Sequence, residues 1–109
     1  RDKNGNTLAH HAASHGRSDV LHLLATKRKK MLAEQNTFGD TPAHLAASSG
    51  QLACLEVLVH YDPGTVNIED RRGYLPLDLS YNDPSCRSFL RGVSDMHGGG
   101  GGWGSRRGG

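Results

Sequence analysis

Two of the seven histidines, His11 and His15, stand four residues apart, a spacing that sets two imidazoles on one side of a helix and could hold a metal ion. A third ligand and the glutamate of an HExxH site are missing, so no metal or other cofactor is expected. No serine or cysteine stands in a nucleophile elbow, no glycine-rich phosphate loop follows a strand, and no carboxylate pair recurs at a defined spacing. An enzyme is therefore not expected. Cys54, between Ala53 and Leu55, reads as buried packing rather than a reactive thiolate. Glu34, Asp40, Glu56, Asp62, Glu69 and Asp70 read as solvated loop and helix-face charges.

Two basic segments remain. Lys27–Lys30, "KRKK", closes a helical stretch, where cations favour the negative end of the helix; a nuclear import signal or a patch for an acidic partner is the sharper alternative. The end, "HGGGGGWGSRRGG", combines Trp103 with Arg106 and Arg107, which could stack on and neutralise single-stranded RNA. Five successive glycines lose too much entropy to order, so residues 96–109 read first as a disordered tail or linker. With a net charge of +2 the chain as a whole has no strong pull toward nucleic acid or anionic lipid. Two cysteines, Cys54 and Cys86, are too few for a disulfide framework, and neither a signal peptide nor a membrane-spanning run is visible. An intracellular setting follows as an expectation, cytoplasmic with nuclear residence left open, and no membrane insertion.

The elements that would position these side chains repeat along the chain. "GNTLAHHAASHG" from Gly5, "GDTPAHLAASSG" from Gly39 and the weaker "GYLPLDLSYNDP" from Gly73 begin 34 residues apart. Thr41 suits a helix N-cap, Pro42 the first helical position, and Gly50 a left-handed stop. Leu52, Leu55 and Val59, with Leu58 widening the stripe, give the next segment a helical apolar face. Ser18 is the expected cap of the corresponding helix in the first copy. "NTFGD" and "DRRGY" form tight turns, with "TVNI" read as extended chain. In the third copy Leu75, Asp78, Tyr81 and Pro84 break the pattern, Pro76 starts a helix, and Cys86, Phe89, Leu90 and Val93 stripe a last helix whose wet face carries Arg87, Ser88 and Arg91. No such helix pair can bury its apolar face alone, whereas stacked pairs can. The fold class predicted is all-α, a solenoid of stacked antiparallel helix pairs joined by hairpin-like β-turn loops.

"TPAHLAASSGQLACLEVLV" resembles the ankyrin repeat, and the resemblance extends over roughly residues 2–92. It implies repeats at about 2–35, 36–69 and 70–93 within a domain of residues 1–95, the third being an atypical terminal repeat. It also implies that His10 and His44 are structural, tying each helix start to backbone and threonine groups of the turn. His11, where the second copy has Leu45, is expected to be half-buried.

The resemblance further implies a non-catalytic adaptor or scaffold that holds a protein partner through its turn tips and concave helix face. By position that surface comprises Lys3, Asn4, Asn6, Ser14 and His15, then Thr37, Phe38, Asp40, Ser48 and Ser49, then Arg71, Arg72 and Tyr74. Phe38, Tyr74 and the two arginines are of the types that dominate binding hot spots. The two rings, one just before Gly39 and one just after Gly73, are expected near each other with the arginines alongside. A plain solvated turn is the alternative for each residue. For the whole chain the alternatives are nucleic-acid binding, less favoured, and a structural spacer between further flanking repeats.

Overall fold

A computed structural model describes residues 2–80 and 83–98. The five helices are α1 (Leu8–Ser14), α2 (Ser18–Lys27), α3 (Pro42–Ser48), α4 (Leu52–Tyr61) and α5 (Pro84–Gly98), with short 3-10 turns at Lys29–Ala33, Pro63–Asn67 and Pro76–Leu79. No strand occurs among the described residues. Helices α1 and α3 pack side by side, as do α2 and α4, and each repeat folds its second helix back on its first.

Each first helix begins the same way. Thr7 and Thr41 hold extended backbone, and their hydroxyls accept the N–H of His10 and His44. Pro42 supplies a pre-bent first residue that needs no N–H partner. Small residues follow: Ala9, Ala12 and Ala13 in α1, and Ala43, Ala46 and Ala47 in α3, are all buried. Their lack of bulk lets α1 and α3 approach closely, so the slim helices are glued by contact area rather than by large side chains. Gly50, at φ 70°, ends α3 in the left-handed region that other residues avoid.

The second helices supply the volume. Leu21, Leu55 and Leu58 are fully buried, with Leu32 from the first connecting turn and Leu90 from α5. Each such leucine contributes about 1.5–3 kcal/mol by leaving water. Cys86, Leu90 and Val93 of α5 are buried, Phe89 is half-buried, and Arg87, Ser88 and Arg91 are exposed, as the stripe predicts.

Four local expectations need correction. Helix α2 is capped by Arg17, without a side-chain hydrogen bond, and Ser18 is its first residue rather than its cap. "TVNI" is not extended: Thr65–Asn67 complete a 3-10 turn in which Thr65 is buried and its hydroxyl donates to the Leu32 carbonyl at 3.5 Å. The segment begun by Pro76 stops after one 3-10 turn, because Leu75 has no hydroxyl to cap it and only the Asp78 carboxylate, accepting the Leu75 N–H at 2.8 Å, holds its start. Helix α5 continues to Gly98, past residue 95. Tyr81, the tail from residue 99, Trp103, Arg106 and Arg107 lie outside the described residues.

Candidate partner-binding surface

Three turn tips project from the stack, and each is built on one acceptor. Oδ1 of Asp2 accepts the N–H groups of Asn4 and Asn6, both at 2.9 Å. Asn36 Oδ1 does the same for Phe38 and Asp40, at 2.9 and 3.0 Å, and Asp70 Oδ1 for Arg72 and Tyr74, both at 2.9 Å. A side chain that accepts from residues two and four ahead closes the turn and fixes which way its tip points. Sequence reasoning missed this series, although Asp2, Asn36 and Asp70 share the 34-residue spacing and are of the residue types that build such turns.

The tips are also stitched to one another. The Thr37 N–H and hydroxyl both donate to the Asn4 carbonyl, at 3.0 and 2.9 Å, and the Arg71 N–H donates to the Phe38 carbonyl at 3.1 Å. Gly39 sits under that second stitch with φ 79°; a Cβ there would lie 2.5 Å from the Arg71 nitrogen. Beneath the tips, His10 Nδ1 accepts the Thr7 N–H at 3.0 Å and Nε2 lies 2.7 Å from the Asp40 carbonyl. His44 repeats the arrangement with Thr41 at 3.1 Å and the Tyr74 carbonyl at 2.7 Å. A carbonyl can only accept, so the proton sits on Nε2 of each ring. Burial lowers the His44 pKa below its usual value, which suits this neutral tautomer.

The predicted surface residues divide. Lys3, Asn4, His15, Thr37, Phe38, Ser48, Ser49, Arg71, Arg72 and Tyr74 are exposed, and Ser14 is half-buried. Asn6 and Asp40 instead belong to the stack: Asn6 Oδ1 accepts the Asn36 amide N–H at 2.8 Å, and Asp40 is buried. Asp70 too is buried rather than solvated, with the Arg72 guanidinium donating to its Oδ2 at 2.8 Å. Burial raises the Asp70 pKa, but the Tyr74 N–H and the Arg72 guanidinium outweigh it and hold the carboxyl down at about 2.

Phe38 is 56% exposed and Tyr74 44%, which is unusual for rings of this size. They do not stack on each other. Arg72 lies over the Tyr74 ring, 4.9 Å from its centre, while Phe38 lines a groove of about 350 Å³ with Thr37, Asp40, Arg71 and Arg72. Both residues stand on the turn closed by Asp70, and the negative face of the ring attracts the cation.

Other candidates are accounted for by their surroundings. His11 is exposed rather than half-buried, and its Nε2 meets the Asp2 carboxylate at 3.0 Å; His15 Nδ1 donates to the His11 carbonyl at 2.8 Å. Cys54 is fully buried, its Sγ 3.8 Å from the Ala12 carbonyl, and burial pushes its thiol up to about 11. Cys86 is raised to about 11 by the same cause. The basic run is exposed from Lys27 to Lys30, where α2 passes into its 3-10 turn. Among the described residues no helix is long and apolar enough to cross a membrane.

Stacked helix pairs, projecting tips and buried Thr–His helix starts define a repeat solenoid. The family model for ankyrin repeats (three copies) matches residues 1–71, and the chain belongs to the ankyrin-repeat family. Ankyrin repeats are a general protein–protein interaction module and are generally non-catalytic. Mouse Synphilin-1 is 46% identical over 59 residues, covering 53% of this chain and 6% of that protein. The poly [ADP-ribose] polymerase tankyrase of Caenorhabditis elegans is 36% identical over 94 residues, 82% of this chain and 4% of that protein. Mouse Ankyrin repeat domain-containing protein 37 is 37% identical over 67 residues, covering 60% of this chain and 42% of that protein. The chain spans less than half the length of each.

Proposed function

We propose that this chain is an adaptor module that grips a protein segment in the groove between its second and third turn tips. The observation that carries the reading is Phe38, more than half exposed, standing beside Arg71 and Arg72 over a groove of about 350 Å³. An apolar side chain of the partner would cover Phe38, and a neighbouring carboxylate would pair with Arg71, whose guanidinium, unlike that of Arg72, is not tied to Asp70. Aromatic and arginine side chains set together give up the most binding energy when truncated. Lys3, Asn4, Ser14, His15, Ser48 and Ser49 would form the more polar remainder of the surface.

The outer face of the first repeat fits a place for a flanking repeat. Leu8 is 59% exposed and Val20 half-buried there, whereas Pro42 and Cys54, their counterparts 34 residues on, are buried. An intracellular setting, where both thiols stay reduced, belongs to the same reading.

Selection of random peptides on the immobilised chain tests the proposal. Enriched peptides should pair an apolar residue with Asp or Glu and lose binding when Phe38 is truncated. Enrichment of basic peptides, or tighter capture of single-stranded nucleic acid through Lys27–Lys30 and the tail, would overturn it.

A further inference from the structure

The junctions between successive tips use the same positions but different chemistry. Between the first and second repeats, the Asn36 amide donates to Asn6 Oδ1 at 2.8 Å, a donor meeting an acceptor. Moving both residues on by 34 gives Asp70 and Asp40, two carboxyls where the first junction has two amides. Asp40 is buried, and its Oδ1 has no hydrogen-bond partner and no contact with solvent. Ligand atoms of Asp40, Asp70 and His44 lie within 4.8 Å of one another.

A metal ion does not fit this trio. His44 has both ring nitrogens committed, one to the Thr41 N–H and one to the Tyr74 carbonyl. The Arg72 guanidinium, 2.8 Å from Asp70, already supplies the positive charge a cation would bring. A partner's donor cannot reach an oxygen that solvent does not touch. A proton can.

We infer that Asp40 and Asp70 share one proton, carried on Asp40 and donated to Asp70, so that the joint between the second and third repeats closes when the proton binds and loosens when it leaves. The protonated carboxyl restores the donor–acceptor match that Asn36 and Asn6 make at the first junction. Ionised, the two carboxylates face each other without a donor and repel. The groups around Asp40 set its proton affinity: burial and the Asp70 carboxylate raise its pKa to about 6, against the pull of Arg72. His44, from α3, and the His10 ring on the Asp40 carbonyl are both held neutral by their bonds and add no full charge. Arg71 borders the same groove, and Asp78 acts on His44 from the last 3-10 turn.

The sign follows from a folded-state pKa above the ordinary 3.8. The stabilisation is complete below 3.8 and is lost as pH rises through about 6. His44 works the other way over part of this range, since its lowered pKa costs stability as pH falls below 6.5. A single melting curve therefore mixes the two, and Asp40 has to be read by itself. The inference is independent of what the groove binds.

The test is a carbon-13 NMR titration of the aspartate carboxyl carbons of the whole chain, from pH 3 to 8, paired with urea unfolding of the parent and of Asp40→Asn at pH 5 and pH 7.5. Asp40 should titrate near pH 6, and the Asp40→Asn chain, whose amide donates to Asp70 at any pH, should gain stability relative to the parent as pH rises. An Asp40 midpoint at an ordinary value near 4, or a parent-to-variant difference that is the same at both pH values, would overturn the shared proton. The titration of the unaltered chain decides the matter even if Asp40→Asn does not fold.

Discussion

His44 reaches across 30 residues of sequence to bond the Tyr74 carbonyl at 2.7 Å, just as His10 reaches the Asp40 carbonyl at the same distance. Each imidazole thus ties two things together: the capping threonine of its own helix and the base of the next repeat's turn. These rings set the spacing at which one tip stands above another, and with it the groove beside Phe38.

Thr41→Ala should lower stability by about 1 kcal/mol, the usual loss when a hydroxyl cap is removed. His44→Ala should cost more, since it strands the buried Thr41 N–H and also takes away one of the two donors to the Tyr74 carbonyl, leaving only the Asp70 N–H. Urea unfolding of both variants checks the order. Equal stability of parent and His44→Ala would contradict the role given to the ring.

Gly39→Ala and Gly73→Ala separate backbone strain from crowding. Both glycines hold positive φ, but an added Cβ at Gly39 meets the Arg71 backbone at 2.5 Å, while at Gly73 nothing lies within 4 Å. Gly73→Ala should cost about 1 kcal/mol from conformation alone. Gly39→Ala should cost distinctly more and should break the stitch between the second and third tips, visible as faster hydrogen exchange at the Arg71 amide.

The two thiols should resist modification while the chain is folded. With Cys54 and Cys86 both raised to about 11 and fully buried, labelling at neutral pH should run roughly a hundredfold slower than for a free thiol. Urea should restore the ordinary rate. Rapid labelling of the folded chain would mean that α4 or α5 opens readily.

His44 should remain neutral below pH 6.5, because burial penalises its charged form. Its contribution to stability is present above 6.5 and is lost as pH falls through its lowered folded value. The Asp70 contribution, with a pKa held near 2, persists above 3.8 and disappears only below it. Proton NMR of the imidazoles should find His44 titrating below the free value. A midpoint at or above 6.5 would show that the ring is open to water.

Much of this architecture is written locally. Thr41, Pro42, His44 and Gly50 act within one turn of helix or one step of backbone, so residue type and spacing suffice to find the helix, its cap and its stop. The junctions are different. Asp40 looks like a solvated turn charge until the stacking register sets it against Asp70, and nothing within five residues of either reveals the other. The comparison with Asn6 and Asn36, on the same 34-residue spacing, was the available signal. Phe38 and Tyr74 fall on opposite sides of their glycines, and the way they divide the surface was not legible locally: one ring lines the groove and the other lies under Arg72. The shortened first element of the third repeat follows from Leu75 replacing the capping threonine, a local change whose consequence for helix length depends on what packs against it.

The groove between the second and third tips is tested most directly by titrating a selected acidic-apolar peptide into the parent chain and into Phe38→Ala/Arg71→Ala, with circular dichroism on the same samples. Neither side chain builds the stack, so helicity should be unchanged while affinity falls by roughly thirtyfold or more, as expected when hot-spot side chains are truncated. Undiminished affinity in the folded double variant would contradict a binding site at these tips.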